Sequence, residues 1–199
     1  MLAKWLMAST PSDAIVVGVT GGGTIVAEQV AQTLGLLLDV ILVEPVALLG
    51  LPGVEAAAVA ADGTMELDVK LLQGRTPSPA AIQRVHDRVA RRAETCRAGA
   101  APLDLEGRTV LVVDEALGSG IATAAAAASA GRRGADRVIV AAPVGDRPAM
   151  DCAGRLADDV IAVLMPAEAG PRARWYCDLP PVSDAEVAEI LALPFARLT

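Results

Sequence analysis

The sequence predicts an α/β fold built on a mostly parallel, doubly wound sheet. Three observations carry that expectation. Short apolar, largely β-branched runs recur along the chain, segments with helical spacing separate them, and turns rich in glycine or acid close the runs at 14–19 and 109–113. Strands that alternate with helices form βαβ units, whose sheets are covered by helices on both faces. Ligands of such sheets bind beyond the carboxyl ends of the strands.

Taken in order, 14–19 is the first strand, and Gly21, Gly22 and Gly23 punctuate its end. Helical spacing follows over 25–34, where Ile25, Val26, Val30 and Leu34 share one face. Residues 40–43 read as a second strand. Two short runs, 56–60 and 65–67, flank the turn signal Asp62-Gly63. Pro77 and Pro79 precede a longer helix over 80–97. The pattern then gives a strand at 109–113, a helix at 124–133, a strand at 137–142, a helix at 147–156 and a strand at 160–164. Ser183 followed by Glu186 forms a capping box that opens the last helix.

A chain of 199 residues suits one domain, spanning 1–199, with a variable insert over 46–80 and a helical tail over 174–199. Apolar residues make up 53% but aromatics only 2%, so the core must be small aliphatic side chains in closely spaced layers. A net charge of −7 argues against a nucleic-acid surface, which needs a basic stripe. Arg84, Arg88, Arg91, Arg92 and Arg97 recur at helical spacing and read as a solvated face balanced by Asp87 and Glu94. Three scattered cysteines and the lone His86, which reads as a surface residue, are too few for a zinc site. Residues 1–10 are too short and mixed for a signal peptide, and the apolar stretch 34–51 is broken by Asp39, Glu44 and Pro45. The expectation is a cytoplasmic chain with reduced thiols and neither membrane nor nucleic acid as partner.

The most informative stretch is Thr109-Val-Leu-Val-Val-Asp-Glu-Ala-Leu-Gly-Ser-Gly-Ile-Ala-Thr123, in which a buried strand ends in two carboxylates, a glycine-bearing loop and a helix start. Unpaired N–H groups and the helix dipole at such a start favour a phosphate. The carboxylates would repel that phosphate but suit neighbouring hydroxyl groups. A loop that holds both a phosphate and a diol implies a sugar phosphate. The bland alternative is an ordinary strand-to-helix turn whose acids cap the helix.

This stretch resembles the 5-phosphoribosyl-diphosphate (PRPP) signature of the type I phosphoribosyltransferases. Asp114 and Glu115 match the acidic pair, and Ser119-Gly120-Ile121-Ala122 occupies the Thr-Gly-x-Thr position. The likeness covers roughly residues 13–193. The opening Asp13–Thr24, the arginine- and glutamate-rich segment 66–99 and the tail Arg174–Val187 are similar to a bacterial group usually labelled predicted phosphoribosyltransferase. It implies a type I phosphoribosyltransferase-like sheet and a transferase that takes PRPP or ribose 5-phosphate and passes the phosphoribosyl group to an unidentified nucleophile, with release of diphosphate. Asp114 and Glu115 would be the catalytic pair, with the 5-phosphate on Ala116, Leu117, Gly118, Ser119, Gly120, Ile121, Ala122 and Thr123. Thr20, Gly21, Gly22 and Gly23 would form the diphosphate loop, and Mg²⁺ would arrive mainly through PRPP. Many type I relatives pair, so a homodimer is compatible with the resemblance, although the chain shows no diagnostic seam.

The departures fall on the diphosphate side. Gly21 stands where the group has an arginine, Glu44-Pro45 replaces a basic pair, and Ala122 replaces a threonine. Lys70 and Arg75 are the candidates to replace the lost charge. Two alternatives therefore stay open. One is a non-catalytic sugar-phosphate binder. The other is a nicotinamide-dependent oxidoreductase, suggested by the Val19–Gly23 turn and by Glu44 at the next strand end. The latter lacks the further glycines, and no lysine follows Tyr176 to make a Tyr-x-x-x-Lys pair. Trp175 and Tyr176 could stack on an acceptor base at the mouth of the site, but the expected role is packing that seals the C-terminal segment to the sheet edge. Cys177 carries no assigned chemistry.

Overall fold

The computed structural model describes residues 1–48, 54–72, 74–171, 174–178 and 180–193. Expectations on 49–53 and 73 in the insert, and on 172–173, 179 and 194–199 near the tail, lie outside the described residues. The elements in chain order are α1 (Leu2–Leu6), β1 (Ile15–Val19), α2 (Gly22–Leu34), β2 (Leu37–Ile41), β3 (Val43–Pro45), β4 (Ala57–Ala60) and β5 (Met65–Leu67). They continue with α3 (Val69–Leu72), α4 (Pro79–Arg97), β6 (Thr109–Val113), α5 (Ile121–Arg132), β7 (Arg137–Val144), α6 (Arg147–Ala153), β8 (Asp159–Leu164) and α7 (Asp184–Leu191).

Five strands form a wholly parallel sheet in the order β2-β1-β6-β7-β8, and a small antiparallel sheet follows the order β3-β4-β5. The strand order reverses between β1 and β6. In doubly wound sheets that switch point opens a crevice, because the connections from the two neighbouring strands leave on opposite faces. The site is therefore expected between Val19 and Val113.

Alternation along the strands explains the two faces. Ile15, Val17, Val19, Val110 and Val112 pack with α5, α6 and the small sheet. Val16, Leu38, Leu111, Val113 and Ile139 pack with α1 and α2 on the other face. α5 is buried nearly all round because it lies between the two sheets. Ala125, Ala126 and Ala127 of α5 and Ala58 and Ala60 of β4 are fully buried in one cluster, and their small side chains allow this close approach.

Three expectations are corrected. The apolar run 40–43 is not one strand: β2 ends at Ile41 and β3 starts at Val43, where the chain leaves the parallel sheet to pair Val43 with Ala60. The Val43 N–H donates to Thr20 Oγ1 at 2.6 Å and fixes that bend against the end of β1. α6 ends at Ala153 rather than 156. The arginines of α4 are not all a solvated face. Arg84 and Arg91 are exposed, but Arg97 pairs with buried Asp39 of β2 at 2.7 Å, and Arg88 and Arg92 pair with Glu44. Ionised side chains buried in a thin sheet edge need partners, and an arginine helix laid across that edge supplies them.

Candidate functional site

β6 delivers Asp114 and Glu115 to the crevice, and α2 packs directly beneath them. A Cβ on Gly23 would lie 3.0 Å from Asp114 Oδ1 and 3.1 Å from the Val113 carbonyl, tighter than ordinary contact, so glycine eases the close start of α2 against the end of β6. Gly120 has φ +77°, and a side chain there would meet the Ala149 carbonyl at 2.3 Å. Glycine at that position sets the loop's approach to α6 and starts α5.

Above the ends of β1 and β6 opens a cavity of about 490 Å³. Of the expected site residues, Thr20, Asp114, Glu115, Ala116, Gly118, Ser119, Gly120, Ala122 and Thr123 line it. Leu117 and Ile121 turn into the core with no exposed surface. Gly21, Gly22 and Gly23 lie outside the lining, with Gly21 capping α2.

Asp114 is almost fully buried. Thr123 Oγ1 donates to its Oδ2 at 2.8 Å, and the Glu115 N–H donates to its Oδ1 at 2.8 Å. Burial nevertheless holds the Asp114 carboxyl well above the ordinary carboxylate range, and the adjacent Glu115 side chain adds to that shift.

The C-terminal segment crosses the same strand ends. Tyr176 Oη donates to the Glu115 carbonyl at 2.6 Å, and Trp175 Nε1 donates to the Ala169 carbonyl at 2.6 Å. Burial and the two nearby carboxyls push the Tyr176 phenol up to about 12. Tyr176 therefore braces the backbone of the acid pair, whereas Trp175 ties the C-terminal segment to the stretch that follows edge strand β8.

Sequence reasoning missed the cation of the cavity. Neither Lys70 nor Arg75 lines it; Arg92 does, carried in from α4. Its Nη1 donates to Glu44 Oε1 at 2.6 Å, while Nε and Nη2 grip Asp184 of α7 at 2.7–3.1 Å. Arg88 Nε holds the other Glu44 oxygen at 2.5 Å. The available signal was Glu44 itself: a carboxylate directly after an apolar run must find cations if it is buried.

No protein-family model matches the chain. Proteins from two strains of Mycobacterium tuberculosis, each named "Putative phosphoribosyl transferase", are 30% identical over 194 residues, which is 96% of this chain. The chain spans 44% of the length of each. The crystal structure of TT1426 from Thermus thermophilus is 30% identical, with a TM-score of 0.78 over 96% of this chain and 92% of that one. Matches of this extent take in the acid pair and its loop, and the solved relative shares the architecture over the covered 96% of this chain. The chain belongs to the type I phosphoribosyltransferase family.

Proposed function

We propose that the cavity binds the 5-phosphoribosyl unit of PRPP or ribose 5-phosphate and, from PRPP, transfers it to an unidentified nucleophile with release of diphosphate. The observation that carries this reading is the placement of Asp114 and Glu115 beside the loop that starts α5, in one cavity at the switch point. Backbone N–H groups of residues 118–122 receive the 5-phosphate, aided by the positive end of α5. The acid pair accepts hydrogen bonds from the ribose hydroxyls. As the C1–O bond breaks, its electron pair leaves with the diphosphate, and the developing positive charge on the ribosyl centre faces these carboxylates. The nucleophile then bonds to C1.

Mg²⁺ fits this donor set as an ion carried by the substrate. Among the described residues no three His, Cys, Asp or Glu side chains converge on a metal position. Magnesium commonly takes one or two carboxylates and completes its shell with phosphate oxygens and water. Asp114 and Glu115 would hold it here, and the ion would supply positive charge to the diphosphate.

A second reading, a non-catalytic sugar-phosphate binder, is favoured by one observation. Among the described residues, the lining carries the carboxylates Glu44, Glu55, Asp114 and Glu115 against the single cation Arg92, which is already engaged by Glu44 and Asp184. PRPP turnover with nucleobases separates the two readings.

Proton release tests the proposed mode of binding. Hydroxyl donors favour the ionised carboxylate, so ribose 5-phosphate should lower the raised Asp114 pKa and expel a proton. Affinity should therefore rise with pH as Asp114 loses its proton, beyond the part owed to the phosphate itself. Calorimetry in buffers of different ionisation enthalpy should show a release that Asp114→Asn abolishes. Identical proton release in that variant would refute the mode.

A further inference from the structure

The four side chains Arg88, Arg92, Glu44 and Asp184 make an arrangement that sugar-phosphate binding at the α5 loop does not explain. We infer that Arg92 is an anion receptor plugged by Glu44, whose carboxylate holds the place that an anionic group of the ligand takes. The inference rests on the reading of the cavity as a sugar-phosphate site, and it concerns the ligand's second anionic group, the one not held by the α5 loop.

The geometry sets the roles. Asp184 grips Arg92 through Nε and Nη2, and a planar guanidinium held by that fork cannot rotate without losing both bonds. The Nη1 edge is therefore fixed toward the cavity, where it meets Glu44. Glu44 is shared: its second oxygen belongs to Arg88. The Arg88 side chain is 56% exposed and that of Arg92 30%, so Arg88 is free to follow Glu44 outward while Asp184 keeps Arg92 in position. An entering phosphate group can then exchange with Glu44 on Nη1, and Glu44 retains Arg88 as its counter-ion throughout. The exchange conserves charge pairing, which makes it feasible in a poorly solvated wall.

The arrangement explains how a chain with glycine and glutamate at two customary basic positions can still receive a diphosphate. The cation comes from α4, and a competing carboxylate sets its affinity. Glu44 thus determines how strongly the cavity discriminates a ligand with two anionic ends from one with a single phosphate. The ligand class is a phosphate or diphosphate group, either attached to ribose or free.

Titration calorimetry with inorganic diphosphate, and with ribose 5-phosphate in parallel, tests this on the wild-type chain and on Glu44→Gln, Glu55→Gln and Glu44→Gln/Arg92→Gln. Glu44→Gln keeps the shape and removes the competitor, so diphosphate affinity should rise roughly tenfold, the scale of one charge-assisted hydrogen bond. Ribose 5-phosphate affinity should move by less than about twofold, because its phosphate is assigned to the α5 loop and not to Arg92. Glu55→Gln removes an exposed cavity charge that accepts from Ser119, and it should raise diphosphate affinity by less than about twofold. Adding Arg92→Gln to Glu44→Gln should cancel the gain. Should that double variant fail to fold, Glu44→Gln/Arg92→Lys keeps the charge but loses the fork, and most of the gain should still vanish. An unchanged Glu44→Gln, an equal gain in Glu55→Gln, or a gain that survives loss of Arg92 overturns the inference. PRPP titration assigns the source: a gain for free diphosphate and PRPP alike places the sugar's diphosphate on Arg92, and a gain for neither overturns it. Absence of ribose 5-phosphate binding in the wild type would instead sink the underlying functional reading.

Discussion

Replacing Asp114 and Glu115 together by Asn and Gln is expected to weaken ribose 5-phosphate binding at least tenfold. Hydrogen bonds to a charged acceptor contribute about 1.5–3 kcal/mol each, and about 1.4 kcal/mol corresponds to tenfold. The double variant keeps the shape of both side chains and removes the charge that the ribose hydroxyls donate to. It should also fold. The Asp114 pKa is raised in the folded chain, so its contribution to stability is fully present below the ordinary carboxylate pKa and is lost as pH rises through the folded value. At neutral pH the neutral Asn relieves that burden, and the Thr123 hydroxyl can turn to accept from the new amide. Undiminished affinity in calorimetry would remove the acid pair from the site.

The second large effect is structural. Asp39→Ala should destabilise the chain by about 3 kcal/mol, the scale for stripping one partner from a buried ion pair. Asp39 is 1% exposed on β2 and holds Arg97 at 2.7 Å, Arg133 at 3.2 Å and the Leu103 N–H at 3.1 Å. It thereby ties α4, the end of α5 and the loop before β6 to one edge of the sheet. Arg97 and Arg133 side chains are 15% and 22% exposed, too little for water to replace the carboxylate fully. Urea unfolding should show the midpoint falling with little change in slope. A loss under about 1 kcal/mol would mean that the arginines rehydrate freely.

The parts of the fold written in local sequence were legible. The β6 strand, its acids and its loop are contiguous, and each local choice agrees with the strand-loop-helix order. The Ser183–Glu186 capping box depends on residues three apart and is present as expected. What escaped the sequence depends on distant elements. The break at Leu42 lies inside an unbroken apolar run, and it becomes visible only when β3 pairs with β4 across the insert. Arg92 reads as surface until α4 is laid beside Glu44 and Asp184, which stand 48 and 92 positions away. Its i,i+4 partner Arg88 has the same ambiguity, because helical spacing gives a face but not what the face meets. The sequence likewise shows no basic residue at Gly21 or at 44–45, whereas α4 carries Arg92 into the same cavity against Glu44.

Gly21 shows why simple restoration of the family pattern is a poor probe. It caps α2 at φ +79°, and although a Cβ there would meet nothing within 4 Å, an arginine would have to adopt a left-handed backbone that L residues rarely take. Glu44, which lines the cavity where Gly21 does not, is the cleaner handle.

The most direct measurement of the central claim is an amide ¹H–¹⁵N titration of the full chain with ribose 5-phosphate. The largest saturable shifts should fall on the N–H groups of Gly118, Ser119, Gly120 and Ala122, with smaller ones at Glu115 and Thr123, and the Asn/Gln double variant should lose them at the same ligand concentration. Shifts confined to other surfaces, or none at millimolar ligand, would contradict the assignment of this cavity to a sugar phosphate.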